Sequence, residues 1–136
     1  MTATKSVFAG ERVYILGPMT LVGPKGQWNF PAFRRAKLMI DASGGFGVCP
    51  ALVDKAVWGF NGKGPLVPGM CHEAIMPIDL AILQTCTMGY ALRGWELSGG
   101  GLAEAALLQC YKRKIVYQPG ALAARVGAVV PEEVLV

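Results

Sequence analysis

The stretch Arg93-Gly-Trp-Glu-Leu-Ser-Gly-Gly-Gly-Leu-Ala-Glu-Ala-Ala-Leu-Leu-Gln-Cys-Tyr-Lys112 decides how this chain folds. An apolar run, Cys86 to Leu92, precedes it and reads as a buried strand. The short β-branched run Lys114 to Tyr117 follows it and reads as another. Between them, Leu102 to about Tyr111 is rich in alanine and leucine, the composition of a helix. Strand, glycine turn, helix and strand in that order make a unit of parallel sheet. Glycines 99 to 101 let backbone N–H groups approach a ligand closely, and the helix behind them contributes the positive end of its dipole. A plain turn would also use glycines, so the run alone is a weak signal. Glu104 is the only charge between Glu96 and Lys112. In a helix apolar enough to be buried, such a carboxylate must be paired, protonated or functional.

Working outward, the same alternation recurs. Arg12 to Leu16 reads as a strand ending at Gly17-Pro18-Met19, and a loop containing Gly23 to Gly26 follows. Asn29 is placed to cap a helix with Pro31 in its first turn and Trp28 stapled onto Phe33; Gly44-Gly45 ends that helix near Ala42. Phe46 to Cys49 is a second strand, closed by Pro50. From Ala51 to Met70 glycine and proline replace any regular period. The stretch reads as a long loop whose Trp58 and Phe60 either cover a ligand or anchor the loop to the core. Cys71 to Gln84 reads as a helix that becomes regular near Pro77 and carries Asp79 among apolar neighbours. Residues 1 to 10 form a ragged start. The apolar tail from 119 to 136 is expected to pack as an edge strand or on a neighbouring subunit. The expectation is one domain over 1–136: a small Rossmann-like, flavodoxin-like α/β sandwich with four or five parallel strands and helices on both faces.

Composition narrows the function. Hydrophobic residues make up 53% of the 136, enough for a sizeable core with apolar surface left over for an oligomer. Thirteen basic against nine acidic residues give +4, but the cations are scattered, which disfavours a polymeric nucleic acid and leaves room for a small anion. Cys49, Cys71, Cys86 and Cys110 have no metal-ligand spacing and His72 is the only histidine, so no metal is expected and the cysteines read as reduced thiols. The absence of a Gly-x-Gly-x-x-Gly fingerprint disfavours an extended dinucleotide, and no cofactor is expected. No run reaches the ~20 apolar residues of a membrane span, and a cytoplasmic protein is expected.

In a doubly wound sheet, strand ends converge on one crevice. That would bring together Tyr14, Gly17-Pro18-Met19, Asp79 and the segment Ser98 to Glu104, with Ser98 and the glycine N–H groups holding an anion. For Glu104 the structural alternatives are a capping role or an ion pair with Arg93 or Lys112; a capping box is weakened because Gly101, not Ser or Thr, stands three residues before it. For Asp79 the alternative is a first-turn carboxylate after Pro77. Two carboxylates beside an anion cradle suit glycosyl transfer, one trapping an oxocarbenium-like carbon and the other assisting the leaving group.

Tyr14-Ile-Leu-Gly-Pro-Met19, Asn29-Phe-Pro-Ala-Phe33, Asp79 in a helix, and Gly94-Trp95-x-x-Ser98-x-Gly100-x-x-x-Glu104 resemble the nucleoside 2-deoxyribosyltransferase superfamily across roughly residues 12 to 118. The nearest resemblance is to the branch that hydrolyses deoxynucleoside 5′-monophosphates. It implies that Glu104 attacks C1′ to give a covalent glycosyl intermediate released by water or by another base. It also implies that Asp79 contacts the sugar or assists base departure, and that Tyr14 orients Glu104 or the sugar. Gly17, Pro18, Met19, Asn29, Trp95, Ser98, Gly99 and Gly100 would bind substrate. Relatives acting on free nucleosides carry an aspartate six residues before the nucleophile, where an acid would repel phosphate. Ser98 at that position therefore implies a monophosphate. The resemblance further implies a homodimer or higher oligomer. The rival expectation, from a different class, is a non-catalytic module that binds a mononucleotide.

Overall fold

The computed structural model describes residues 6–19 and 28–122. The first residues of the ragged start (1–5), the loop containing Gly23 to Gly26 and the tail beyond Leu122 lie outside the described residues. The elements are β1 (Arg12–Leu16), α1 (Phe30–Ala42), β2 (Phe46–Val48), α2 (Pro50–Trp58), α3 (His72–Leu83), β3 (Met88–Ala91), a 3₁₀ turn (Trp95–Leu97), α4 (Gly99–Cys110) and β4 (Lys114–Tyr117). The strands form one parallel sheet in the order β2-β1-β3-β4. This is the expected Rossmann-like α/β sandwich, with four strands among the described residues.

The core follows from the pleat. Val13 and Ile15 face one side of the sheet, where α1 supplies Phe33, Ala36 and Ile40. Tyr14 and Leu16 face the other, against Leu83 of α3 and Ala105 and Leu108 of α4. Residues 13 to 16 are thus buried on both faces, as a central strand of a covered parallel sheet must be. Contact with α4 is close: a Cβ on Gly89 would lie 2.5 Å from Leu108 Cδ1. On the outer edge, Lys37 Nζ donates to the Gly47 carbonyl (2.8 Å) and pairs with Asp41 (3.0 Å). Asp41 accepts in turn from the Gly47 N–H at 2.8 Å, which ties β2 to α1.

The chain departs from its sequence reading in four places. Residues 50 to 58 are helical rather than irregular: Pro50 opens the first turn of α2, where its missing N–H costs nothing, and Gly59 ends it at φ +72°. Helix α3 begins at His72 and passes through the exposed Pro77, so Asp79 sits in mid-helix and the helix dipole does not account for it. Asn29 stands at the N-cap position of α1 as expected but makes no side-chain capping bond; its Nδ2 donates instead to the Pro18 carbonyl (2.9 Å), pinning the end of β1 to the helix start. Trp28 stands edge-on to Phe60 (5.3 Å between ring centres), not as a staple on Phe33, and donates to the Gly64 carbonyl. Phe60 is itself buried, so its ring anchors the loop.

Leu108 is wholly buried on the sheet and Leu102 of the same helix is half exposed. Leu108→Ala is expected to lower unfolding free energy by about 2–5 kcal/mol and Leu102→Ala by less than about 1 kcal/mol, read from urea denaturation. Equal losses would contradict the packing described.

Candidate functional site

After β1 the chain pairs β2 on one side and then returns to place β3 on the other. The carboxyl ends of β1 and β3 therefore flank the point where strand order reverses, and loops leaving in opposite directions open a crevice there. A cavity of about 790 Å³ occupies it, walled by Gly17 to Met19 after β1, Leu92 to Gly94 after β3 and the start of α4. That volume lies within the range of about 300–1,000 Å³ typical of small-molecule sites. Gly17 is needed there: a Cβ would sit 2.9 Å from Leu92 Cβ.

Glu104 reaches the cavity from the second turn of α4 and is 5% exposed. Behind it, from the middle strand, the buried Tyr14 hydroxyl donates a short hydrogen bond to Glu104 Oε2. Burial pushes the Glu104 carboxyl up to about 8; the Tyr14 hydrogen bond opposes this, while Asp79 and Asp54 add to it. Asp79 lies on the same wall, with its pKa raised to about 7 by burial and by Asp54. Tyr14 is held far from ionisation by its own burial and by the nearby acids. Among the described residues, Glu104 makes no ion pair, which removes Arg93 and Lys112 as its partners.

The third acid, Asp54, was hidden in the stretch read as irregular. It is 2% exposed, lines the cavity from α2 and is raised to about 6 by burial. The signal for it was present: a proline-led segment from Pro50 to the Gly59 stop, with Ala51, Asp54 and Trp58 at helical spacing.

Ser98 to Gly101 line the cavity at the start of α4. Gly99 to Gly101 are helical, making the first turn of α4, with Ser98 as N-cap: its Oγ accepts from the Gly101 N–H at 3.2 Å. That uses the Gly101 donor and leaves the Gly99 and Gly100 N–H groups at the helix start to face a ligand. Packing enforces Gly101, where a Cβ would meet the Trp95 carbonyl oxygen at 2.4 Å; one on Gly100 would only crowd the Met76 sulfur (3.3 Å), and one on Gly99 would meet nothing within 4 Å. Arg35 and Arg93 also line the cavity and offer positive charge, and His72 lines it too.

Of the residues singled out from sequence, Gly17, Pro18, Met19, Asn29, Asp79, Ser98, Gly99, Gly100 and Glu104 share this one cavity. Tyr14 stands directly behind Glu104. Trp95 is the exception. It is buried against Tyr117, donates to the Leu122 carbonyl at 2.6 Å and does not line the cavity; its contribution is the carbonyl on which Gly101 packs. Among the described residues, no group of three potential ligands is arranged to hold a metal ion, and no helix is long and apolar enough to cross a membrane.

Fold and cavity together define a parallel α/β protein with an acid-lined cavity at its topological switch point. The chain belongs to the family described as a domain of unknown function (DUF4406), which it matches over residues 11–117, the whole span from β1 to β4. No curated protein and no solved structure matches it.

Because the Tyr14 hydrogen bond holds the Glu104 pKa down, Tyr14→Phe is expected to move it further above about 8. Carbon-13 NMR of the Glu104 side-chain carboxyl across a pH titration reads this directly. An unchanged or lower value would contradict the pairing.

Proposed function

We propose that the protein cleaves the N-glycosidic bond of a 2′-deoxynucleoside 5′-monophosphate through a covalent glycosyl-Glu104 intermediate. The observation that carries this reading is Glu104 itself: a buried carboxyl, aimed into a cavity, fixed by a tyrosine hydroxyl and one turn beyond a helix N-terminus suited to phosphate.

The phosphate lies at Ser98, Gly99 and Gly100, with Arg93 as countercharge, which sets C1′ over Glu104. A Glu104 carboxylate oxygen bonds to C1′ as the C1′–N bond breaks, and Asp79 gives its proton to the departing base. Water then attacks C1′, the ester oxygen leaves as the Glu104 carboxylate, and Asp79 takes the water proton. Asp79 and Glu104 must be acid and base respectively, yet Glu104 is the harder of the two to ionise. The two therefore titrate as a coupled pair, and the productive form is a minority species near neutrality.

That same difficulty supports a second reading, a module that binds a mononucleotide without cleaving it, because a protonated Glu104 donates a hydrogen bond instead of attacking. One assay separates them. The protein is incubated with each 2′-deoxynucleoside 5′-monophosphate, modified pyrimidines included, and free base is followed by chromatography. Base release that falls by roughly 10³-fold or more in Glu104→Gln is expected. Binding with no release from any of them would establish the binding module. Ser98→Asp is expected to weaken monophosphates more than free nucleosides, and equal losses would remove phosphate from that end of the site.

The kcat/KM profile is expected to be bell-shaped, with its maximum between the Asp79 value of about 7 and the Glu104 value of about 8. Activity rises with pH as Glu104 loses its proton and falls as Asp79 loses the one it must donate. A profile rising without an alkaline limb would remove Asp79 as the acid.

A further inference from the structure

We infer that Asp54 reads the base: its carboxyl accepts an N–H of the ligand, so the cavity takes nucleotides with an exocyclic amino group in preference to their keto counterparts. The inference rests on the nucleotide reading above and names the part of that ligand which Asp54 contacts.

Asp54 is 2% exposed and lies on the cavity wall, and among the described residues its Oδ1 has no hydrogen-bond partner. A buried carboxyl oxygen left without a donor is rare in folded proteins, because burial strips away water and nothing repays it. Asp54 lines the cavity, and a ligand N–H seated against that wall is the donor the protein itself does not supply. No cation offsets the burial that raises the Asp54 carboxyl, so its position is not explained by a salt bridge within the protein.

The topology fixes which part of a nucleotide arrives there. Helix α3 packs between α2 and α4, contacting both. The helix start at Ser98 to Gly100 belongs to α4, Glu104 further along α4 and Asp79 on α3 act on one another electrostatically, and Asp54 belongs to α2. With phosphate on the first and C1′ over the second, the base extends toward the third. Its surroundings suit a flat ring. Phe60, whose N–H donates to the Asp54 carbonyl at 3.4 Å, lines the cavity with Trp28 standing edge-on to it, and Met70 adds a polarisable side chain.

Of the three acids, Asp54 has the lowest pKa, about 6 against about 7 and about 8. It is the first to ionise, and a carboxylate only accepts. It attracts an amino N–H and repels the oxygen of a keto group at the same ring position, so the discrimination has an attractive and a repulsive half.

The test uses two matched pairs, dCMP with dUMP and dAMP with dIMP, each exchanging an exocyclic amino group for a keto oxygen and, with it, a bare ring nitrogen for a ring N–H. Their affinities for the full chain carrying Glu104→Gln are measured by calorimetry, with and without Asp54→Asn. In the pair that binds, the amino member is expected to bind about tenfold or more tighter. Asp54→Asn, whose amide can donate as well as accept, is expected to bring the two within about threefold. Equal affinities within each pair while Asp54 is intact overturn the inference without any Asp54 variant. So does a preference that survives Asp54→Asn in a folded protein, or no binding by any of the four. Base release by the wild-type chain is scored separately. An inactive protein that keeps the amino preference loses the glycosidase reading and keeps this one, and an active protein with no preference does the reverse.

Discussion

A tyrosine hydroxyl donating to a glutamate carboxyl joins the middle of the sheet to its longest-range partner helix. Tyr14 sits on the central strand, Glu104 on α4, ninety residues later in the chain, and both are almost wholly buried. A polar pair at that depth is tolerated only if each group satisfies the other, so strand and helix must meet in one register. The surrounding contacts enforce that register sterically. Gly89 admits Leu108 to the sheet, and Gly101 admits the start of α4 to the Trp95 carbonyl. Two glycines and one hydrogen bond therefore set where the carboxyl stands, and the cavity lies beside it.

Sequence alone made the sheet and its ligand end legible because both depend on local punctuation. Gly17-Pro18, Gly44-Gly45 and the Ser98 to Gly101 run stop or start elements by backbone geometry, which is a property of the residues themselves. The pairing of Glu104 with Tyr14 was within reach for a related reason: an acid in an alanine-leucine helix demands a partner wherever it goes.

What was not legible depended on partners distant in the chain. Pro50 ends β2 and also opens α2, and only the fold decides between a stop and a first turn. Reading it as a stop hid the helix, and with it Asp54. Asn29 takes the cap position its chemistry suits, yet its side chain is turned to donate to the Pro18 carbonyl, a contact no local pattern encodes. Trp95 lies inside a motif whose neighbours reach the cavity, but it turns inward to Tyr117 and Leu122.

The three buried acids have one consequence for the protein as a whole. Asp54, Asp79 and Glu104 hold their protons up to about 6, about 7 and about 8 when folded, whereas an unfolded chain releases them near about 4. Protons are thus ligands of the native state. The stability they confer is complete below about pH 4, and it drains away as pH rises through the folded values. The fold is most stable with all three acids neutral, and each step toward a charged cavity is taken at its expense.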